Sequence, residues 1–315
     1  MPNAPYALEL YAKWFKKDIS PVLRAQAIGK YLMPVDPEFT GLGMGVLNIE
    51  QLRYNKRSKA SVAYKIRKDN FDYVSVMGQN IIIPVIQDNA VIDRQHFESL
   101  CLKGAPIQSS INRDMARNLA ASQTSLIVMG QEGDGVNVDT AGLYNVAPSA
   151  TEVTAKGTIT AAFNNCHSSV TQAIANMKAQ GVFSTDGYNL TLPVIDYGEL
   201  TGSVSPQGIL EYDLVMKALN HGVQNGGQPG QIYESIDLPA GTALVTPTAT
   251  QNNLQFFGLA ETLVPTPYLW YEEANYDTGD LLIQLVNKLV PMFMHLDPTT
   301  QTDPCVCMIT GLGTT

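Results

Sequence analysis

The sequence predicts an α+β fold, because its helical and strand patterns occupy separate stretches of the chain. One long helical pattern ends at Met129, and β-rich runs stand before it, between residues 61 and 86. From residue 231 onward most of the chain is again β-like, with short apolar runs separated by turn formers. A chain of 315 residues is long enough to bury a large core, in one big or two medium domains.

The long helix is the central element of this prediction. Ser109 or Ser110 is suited to cap its start, and Gly130 is suited to end it in a left-handed conformation. Its apolar residues recur in alternating steps of four and three, which places them on one face that we expect to be buried. That face comprises Ile111, Met115, Leu119, Leu126 and Met129, with the small Ser122 between them. The polar positions around it are Asn112, Arg113, Asn118, Gln123 and Thr124.

The remaining elements follow from shorter patterns. Residues 34–60 are rich in turn formers and then in charge, and β-rich runs follow at 61–68, 73–77 and 80–86. Helices are predicted at 93–101, from about 158 to 180, and from Ser205-Pro206 to His221-Gly222, with a strand at 188–195. A glycine-rich polar loop spans 222–230, and strands are predicted at 231–236, 242–246, 254–259, 267–272, 281–295 and 305–309.

Charge is distributed very unevenly along the chain. The net charge is −9, but residues 1–68 hold 12 of the 20 Lys and Arg and only 5 of the 29 Asp and Glu. That stretch therefore carries +7 and the rest of the chain −16. A general nucleic-acid binder would be basic overall. Two parts of opposite sign instead favour self-association, in which the basic part of one copy meets an acidic part of another.

No pattern of catalytic or metal-binding residues stands out. His96, His167, His221 and His295 are far apart, and the known nucleophile, phosphate-loop and zinc motifs are absent. Cys305 and Cys307 are expected to be buried on one face of a strand. The acidic loop with Glu132, Asp134, Asn137 and Asp139 lacks the spacing of a calcium loop. We therefore expect no cofactor, no metal, no enzymatic activity, no signal peptide and no membrane span.

One combination of motifs resembles a known group of proteins. A long helix that ends at Gly130 is followed by a Gly-rich crossing that closes on Gly142-Leu143-Tyr144-Asn145. This order resembles encapsulin shells and tailed-phage major capsid proteins, which share the Hong Kong ninety-seven-type fold. In that fold the long helix is called the spine.

The resemblance implies a division of the chain and a function. It implies an N-terminal arm (1–35), an extended β-ribbon loop (36–90), a peripheral domain with the spine helix (91–157), an axial domain (158–255) and C-terminal strands that return to the peripheral domain (256–315). It also implies a shell protein that forms pentamers and hexamers in a virion capsid, assembled in the host cytoplasm around double-stranded DNA. Portal, scaffold and decoration proteins are further partners that such a shell can use.

The basic part of the extended loop is the predicted inter-subunit contact. It comprises Arg53, Lys56, Arg57, Lys59, Lys65, Arg67 and Lys68, with no acidic residue between Glu50 and Asp69. Some capsids of this fold also join a loop lysine to an asparagine of the next subunit through an isopeptide bond. The sequence does not locate the asparagine that such a bond would need.

Two alternatives stay open at this point. The first is an encapsulin compartment that holds cargo enzymes, which the length and the Gly-Leu-Tyr-Asn crossing fit equally well. The second is a soluble enzyme, which would need a converging cluster of titratable groups.

Overall fold

The structure is a computed structural model that describes residues 29–40, 48–54, 76–92, 107–131, 140–148, 152–223, 227–248, 256–262, 281–296, 300 and 302–313. The helices are α1 (Gly29–Leu32), α2 (Ile107–Met129), α3 (Leu143–Val146), α4 (Asn165–Ala179), α5 (Val194–Gly202) and α6 (Glu211–Leu219). The strands are β1 (Val35–Thr40), β2 (Asn48–Tyr54), β3 (Val76–Ile82), β4 (Val85–Ile92), β5 (Gly130–Gln131), β6 (Thr140–Ala141), β7 (Val153–Thr154), β8 (Tyr188–Pro193), β9 (Ile232–Ser235), β10 (Thr242–Pro247), β11 (Phe257–Thr262), β12 (Leu281–Phe293) and β13 (Cys307–Thr310). This mixture of helices and separate sheets confirms the α+β class.

Helix α2 and the crossing that follows it form one local unit. The helix has 23 residues, which corresponds to about 35 Å. Gly130 follows it with a φ of +73°, a conformation that glycine adopts without steric cost. Gly130 pairs with Ala141 in the β5–β6 ladder, and the Asn145 side chain donates a hydrogen bond of 2.7 Å to the Met129 carbonyl oxygen. The Asn of the Gly-Leu-Tyr-Asn motif thus satisfies a carbonyl at the C-terminal end of the spine helix.

The buried side of α2 is wider than the predicted stripe. Ser122, predicted on the buried face, is exposed, whereas Gln123 and Thr124, predicted as polar surroundings, are 1% and 7% exposed. The helix contacts β4, β12, α1 and α3, so residues outside a single stripe are covered too. Ser109 and Ser110, predicted as caps, lie inside the helix, which already includes Ile107.

A four-stranded sheet packs against the spine helix. Its strand order is β1-β11-β12-β4, with β1 parallel to β11 and the other pairs antiparallel. Strands β4 and β12 contact α2, and the Asn118 side chain of α2 donates a hydrogen bond to Asp88 of β4 at 3.1 Å. The sheet combines strands from the beginning and the end of the chain.

A five-stranded sheet lies in the second half of the chain. Its order is β7-β13-β10-β8-β9, and helices α4 and α6 pack on it. Every residue of β8 and β10 is buried, because these strands lie inside the sheet and both of their faces are covered. We call this sheet together with α4, α5 and α6 the five-stranded unit.

Strands β2 and β3 form an antiparallel two-stranded ribbon before the spine helix. Its register runs from Asn48 opposite Ile82 to Tyr54 opposite Val76. Strand β2 was not predicted, because residues 34–60 were interpreted as turns, and β1 was missed for the same reason. The predicted strand at 61–68 and the predicted helix at 93–101 lie outside the described residues.

Three predictions for the five-stranded unit, two of helices and one of a strand, need correction. Helix α4 begins at Asn165 rather than near 158, because Asn164 before it has a φ of +80°. The predicted strand at 188–195 ends at Pro193, and helix α5 follows without having been predicted. Helix α6 begins at Glu211 rather than Ser205, and Ile209 and Leu210, which the predicted helix would have included, lie before it and are exposed.

The two sheets share one hydrophobic core among the described residues. It includes Ile127 of the spine helix, Leu190 and Leu244 of the five-stranded sheet, and Phe257 and Phe293 of the four-stranded sheet. The rings of Phe257 and Phe293 meet edge to face with centroids 6.0 Å apart. Burial of apolar side chains from both sheets and from the spine helix in this core holds the three together.

Candidate assembly surfaces

The spine helix has a buried face and a charged outer face. Met115, Leu119 and Leu126 are 4%, 2% and 5% exposed, and Ile111 lies in the same helix at a position whose side chain is not described. On the outer face, Arg117 reaches Asp114 one turn earlier at 3.5 Å, with both side chains more than half exposed. Such an exposed pair contributes little to stability.

The described apolar contacts of the ribbon lie at one of its ends. Ile49 of β2 and Ile83 are buried against Ala260, Val290 and Met292 of the four-stranded sheet. Arg53 lies at the other end, opposite Met77. The other six predicted contact residues, Lys56, Arg57, Lys59, Lys65, Arg67 and Lys68, lie outside the described residues.

Exposed apolar side chains indicate candidate contact surfaces that were not predicted from the sequence. Several large ones cluster at the two ends of α5, namely Val194, Ile195, Val204, Ile209, Leu210 and Ile236. A run of eleven uncharged residues between Glu199 and Glu211 is the sequence signal that could have indicated one of them.

Known structures with the same arrangement of elements are viral and virus-like shells. The capsid of Myoviridae phage XM1 matches with a TM-score of 0.57 and 10% identity over 90% of each chain. The capsid of an empty GTA particle, computed with C5 symmetry, matches with a TM-score of 0.58 and 10% identity over 91% of this chain and 90% of that one. A virus-like particle from Pyrococcus furiosus matches with a TM-score of 0.52 and 11% identity over 94% and 99%.

The chain has the Hong Kong ninety-seven-type capsid fold. The resemblance inferred from the spine helix and the Gly-Leu-Tyr-Asn crossing is thereby confirmed at the level of the fold. No protein-family model matches the sequence, and no curated protein matches it either. The relationship is therefore visible in the backbone and not in overall sequence similarity.

The three described cysteines of this capsid fold are placed as packing residues. Cys166, Cys305 and Cys307 are buried, as was predicted for the last two. Cys305 lies in a turn before β13, however, and does not share the strand with Cys307. Burial raises the thiol pKa of Cys166 and of Cys305, and nearby carboxylates (Glu211 and Asp196 for Cys166, Asp303 for Cys305) raise it further. A thiol held protonated in this way is a poor nucleophile and a poor metal ligand.

The described histidines and acidic residues do not form a metal site. In the part of the chain that the structure describes, no group of three or more His, Cys, Asp and Glu could hold a metal ion. His167 makes a contact of 2.7 Å from Nδ1 to Asn164 Oδ1, and His295 lies beside the Phe256 ring. His96 and the acidic loop at 132–139 lie outside the described residues.

The described helices include none long and apolar enough to cross a membrane.

Three fully or nearly fully buried carboxylates hold backbone groups in place. Glu211 accepts the His167 N–H near the start of α4, and Asp196 accepts the Gly241 N–H at 2.7 Å. Asp303 accepts the N–H groups of His295 and Cys305 at 3.3 and 2.8 Å, where β12 leads to β13. Burial raises the carboxyl pKa of Asp196 and of Asp303. These acids stabilise turns and helix ends, which is a structural use of buried charge.

Proposed function

We propose that this chain is the major capsid protein of a tailed double-stranded-DNA virus. It assembles into pentamers and hexamers of an icosahedral shell that encloses the DNA. The observation that carries the proposal is similarity to capsid chains over about nine tenths of both chains.

The proposal assigns a role to each part of the chain. The axial domain (158–255), which contains most of the five-stranded unit, gathers around the five-fold and six-fold centres. The loop at 222–230 lies near the symmetry axis, because its glycines lack side chains that would collide there. The peripheral domain (91–157 with 256–315) lies farther out, and the N-terminal arm (1–35) and extended loop (36–90) contact neighbouring subunits.

The basic stretch from Arg53 to Lys68 docks on an adjacent subunit in this proposal. Seven like charges within sixteen residues repel one another, and a two-stranded ribbon has little core to offset that repulsion. Docking becomes favourable because the rest of the chain carries −16. Exposed acids in the five-stranded unit or next to it that could receive it include Glu152, Asp213 and Glu234.

Electron microscopy of the purified protein, with an assay for nuclease-protected DNA in particles from the virus, tests the main proposal. Closed icosahedral particles with pentameric vertices, holding double-stranded DNA, are the expected result. Protein that stays monomeric under all assembly conditions would refute a shell function.

Reversal of Lys56, Arg57 and Lys59 to Glu tests the docking role. We expect subunits that fold normally but do not close into shells, with a defect that depends on salt. The matched control reverses the same amount of charge elsewhere, at Arg117, Lys156 and Lys217, and should assemble. Intact shells that package DNA poorly would instead mean that the stretch faces the DNA. If the triple variant assembles and packages DNA like the parent, the basic stretch has no role in either process.

An encapsulin compartment is the second candidate, and one observation favours it. The virus-like particle from Pyrococcus furiosus matches over 99% of its own length. The contents of the particle discriminate between the two functions, since a virus shell protects DNA and a compartment holds co-purifying enzymes. Neighbouring genes for a terminase and portal would favour a virus, and a peroxidase or ferritin-like gene would favour a compartment.

A further inference from the structure

Residues 203–211, which connect α5 to α6, form a short, closed hairpin. Val204 and Leu210 face each other in an antiparallel bridge. The Ser205 N–H donates to the Ile209 carbonyl at 2.8 Å, and the Ser205 hydroxyl accepts the Ile209 N–H at 3.0 Å. Gly208, with a φ of +81°, makes the turn and donates its N–H to the Ser205 carbonyl at 2.9 Å. We call residues 203–211 the apolar hairpin.

A buried carboxylate fixes the base of the apolar hairpin to the five-stranded unit. Glu211 is 0% exposed, and its N–H donates to the Ser203 carbonyl at 3.0 Å. Its Oε2 accepts the Ser203 hydroxyl at 2.8 Å, while its Oε1 accepts the His167 N–H of α4 at 3.1 Å. The orientation of the hairpin is therefore set by α4 as well as by its own two arms.

The apolar hairpin presents large apolar side chains to solvent despite being well ordered. Val204, Ile209 and Leu210 are 52%, 48% and 38% exposed, and no charged residue lies between Glu199 and Glu211. Depletion of charge with exposed aliphatic groups is typical of the centre of a protein interface. A segment already held in one conformation loses little conformational entropy when it binds.

A second apolar surface lies at the other end of α5. Pro193 of β8 and Ser235 of β9 are partners in the parallel ladder, so the next residues, Val194 and Ile236, leave adjoining strand ends. Val194 and Ile236 are 44% and 79% exposed, and Ile195 is 65% exposed. We call Val194, Ile195 and Ile236 the apolar shelf. Helix α5 begins with Val194 and Ile195 of the shelf and extends about 12 Å toward the hairpin.

Two different apolar surfaces on one chain favour another copy of the same chain as the partner. A ring of five or six subunits cannot use a two-fold contact between identical patches around its circumference. It needs two non-identical surfaces on each subunit, so that one surface of each copy meets the other surface of the next. The hairpin and the shelf supply such a pair within the five-stranded unit.

We propose that the apolar hairpin of one subunit packs on the apolar shelf of the next subunit around each ring. This inference rests on the proposed shell function, and it names the contact that closes the pentamers and hexamers. Burying these aliphatic groups at every repeat of the ring provides a driving force that does not depend on charge. The contact therefore complements docking of the basic stretch, which salt weakens.

Disulfide trapping tests the pairing in assembled particles. The double variant Leu210→Cys with Ile236→Cys should give a ladder of linked subunits up to five or six on a non-reducing gel. The parent and each single variant, oxidised in the same way, should stay monomeric. They also control for the native cysteines. Dimers from Leu210→Cys alone would mean that hairpins meet each other, and a disulfide within one subunit would mean that the chain covers its own shelf; either result overturns the pairing.

A second pair of variants keeps the pairing testable if the cysteine variants assemble poorly. Val204→Ser with Ile209→Ser should leave the unfolding temperature of the subunit close to that of the parent and abolish closed particles. Phe183→Ser is the matched control, since Phe183 is 70% exposed in the segment between α4 and β8. Particles of the serine double variant in parent yield would overturn the inference.

The same experiments separate this inference from the proposed function. A parent chain that forms shells without a cross-linked ladder in the cysteine double variant refutes the pairing and leaves the shell function standing. A parent chain that never forms particles refutes both.

Discussion

The five-stranded unit and the two-stranded ribbon differ in where their stabilising contacts come from. In the five-stranded unit the inner strands β8 and β10 are buried along their whole length under packed helices. In the ribbon, β2 and β3 pair with each other, and their described apolar contacts lie at the base around Ile49 and Ile83. A two-stranded ribbon is marginally stable in water by itself. The described packing therefore stabilises the five-stranded unit within its own chain, whereas a ribbon that docks as proposed would gain most from a neighbouring subunit.

This difference matches what a shell subunit needs. A rigid body must keep its shape at every position in the shell, and an extended element must adapt to the adjacent subunit. Core changes should therefore lower the stability of the isolated subunit. Changes in the ribbon should act on local opening and on assembly.

The largest expected effect comes from shortening the spine helix core. Leu119→Ala or Leu126→Ala should lower the free energy of unfolding by about 2–5 kcal/mol, because each removes a buried side chain and leaves a cavity. Denaturant unfolding of the dissociated subunit measures it. Ser122→Ala, on the exposed side of the same helix, should change stability by less than about 0.5 kcal/mol. Equal stability of parent and both Leu variants would show that the helix packs on another face.

A smaller loss is expected when the capping carboxylate of the five-stranded unit is changed. Glu211→Gln keeps the size but replaces one acceptor oxygen with an NH₂ group that faces a donor, at a cost of about 1–3 kcal/mol. Thermal unfolding of the dissociated subunit measures it. Asp213→Asn is the control, because Asp213 lies in the same first helical turn and is exposed. If both variants lose the same stability, helix electrostatics rather than the buried hydrogen bonds is responsible.

The base of the ribbon should respond locally. Ile49→Val removes one buried methyl group and should weaken the anchor by about 0.5–1.5 kcal/mol. Hydrogen exchange should become faster at the amides of β2 and β3 and stay unchanged in β8 and β10. Ile82→Val makes the same change at an exposed position of β3 and should leave exchange as in the parent. Uniform acceleration across both regions would contradict the contrast between them.

The smallest effect concerns pH and the junction between the two sheets. Burial raises the pKa of Asp303, so the folded state takes up a proton at higher pH than the unfolded state does. Stability contributed by Asp303 is therefore greatest below the ordinary Asp pKa and falls as pH rises through the raised value. We therefore measure the unfolding temperature of the parent minus that of Asp303→Asn over this pH range. This difference should decrease as pH rises. An increase with pH would show that the hydrogen bonds donated by the N–H groups of His295 and Cys305 outweigh burial in setting the pKa of Asp303.

The sequence by itself determined the spine helix, its end at Gly130 and the fold that these imply. Each of these features depends on residues close together in the chain: the apolar period, a glycine free to adopt positive φ, and the Gly-Leu-Tyr-Asn turn. Met115, Leu119 and Leu126 could be placed on the buried face for the same reason. The basic stretch is equally visible as a charge pattern, although what it contacts depends on a second molecule.

Tertiary structure alone decided the features that depend on distant segments. Gln123 and Thr124 are buried because β4, β12, α1 and α3 surround the spine helix on more sides than its apolar period indicates. Helix α6 starts at Glu211 because that carboxylate is held by the first turn of α4, forty-four residues earlier in the chain. Ile209 and Leu210 then lie in the hairpin before the helix, where they are exposed. An apolar residue one turn before a helix looks like core in the sequence, and only the packed neighbours determine whether it faces inward or toward solvent.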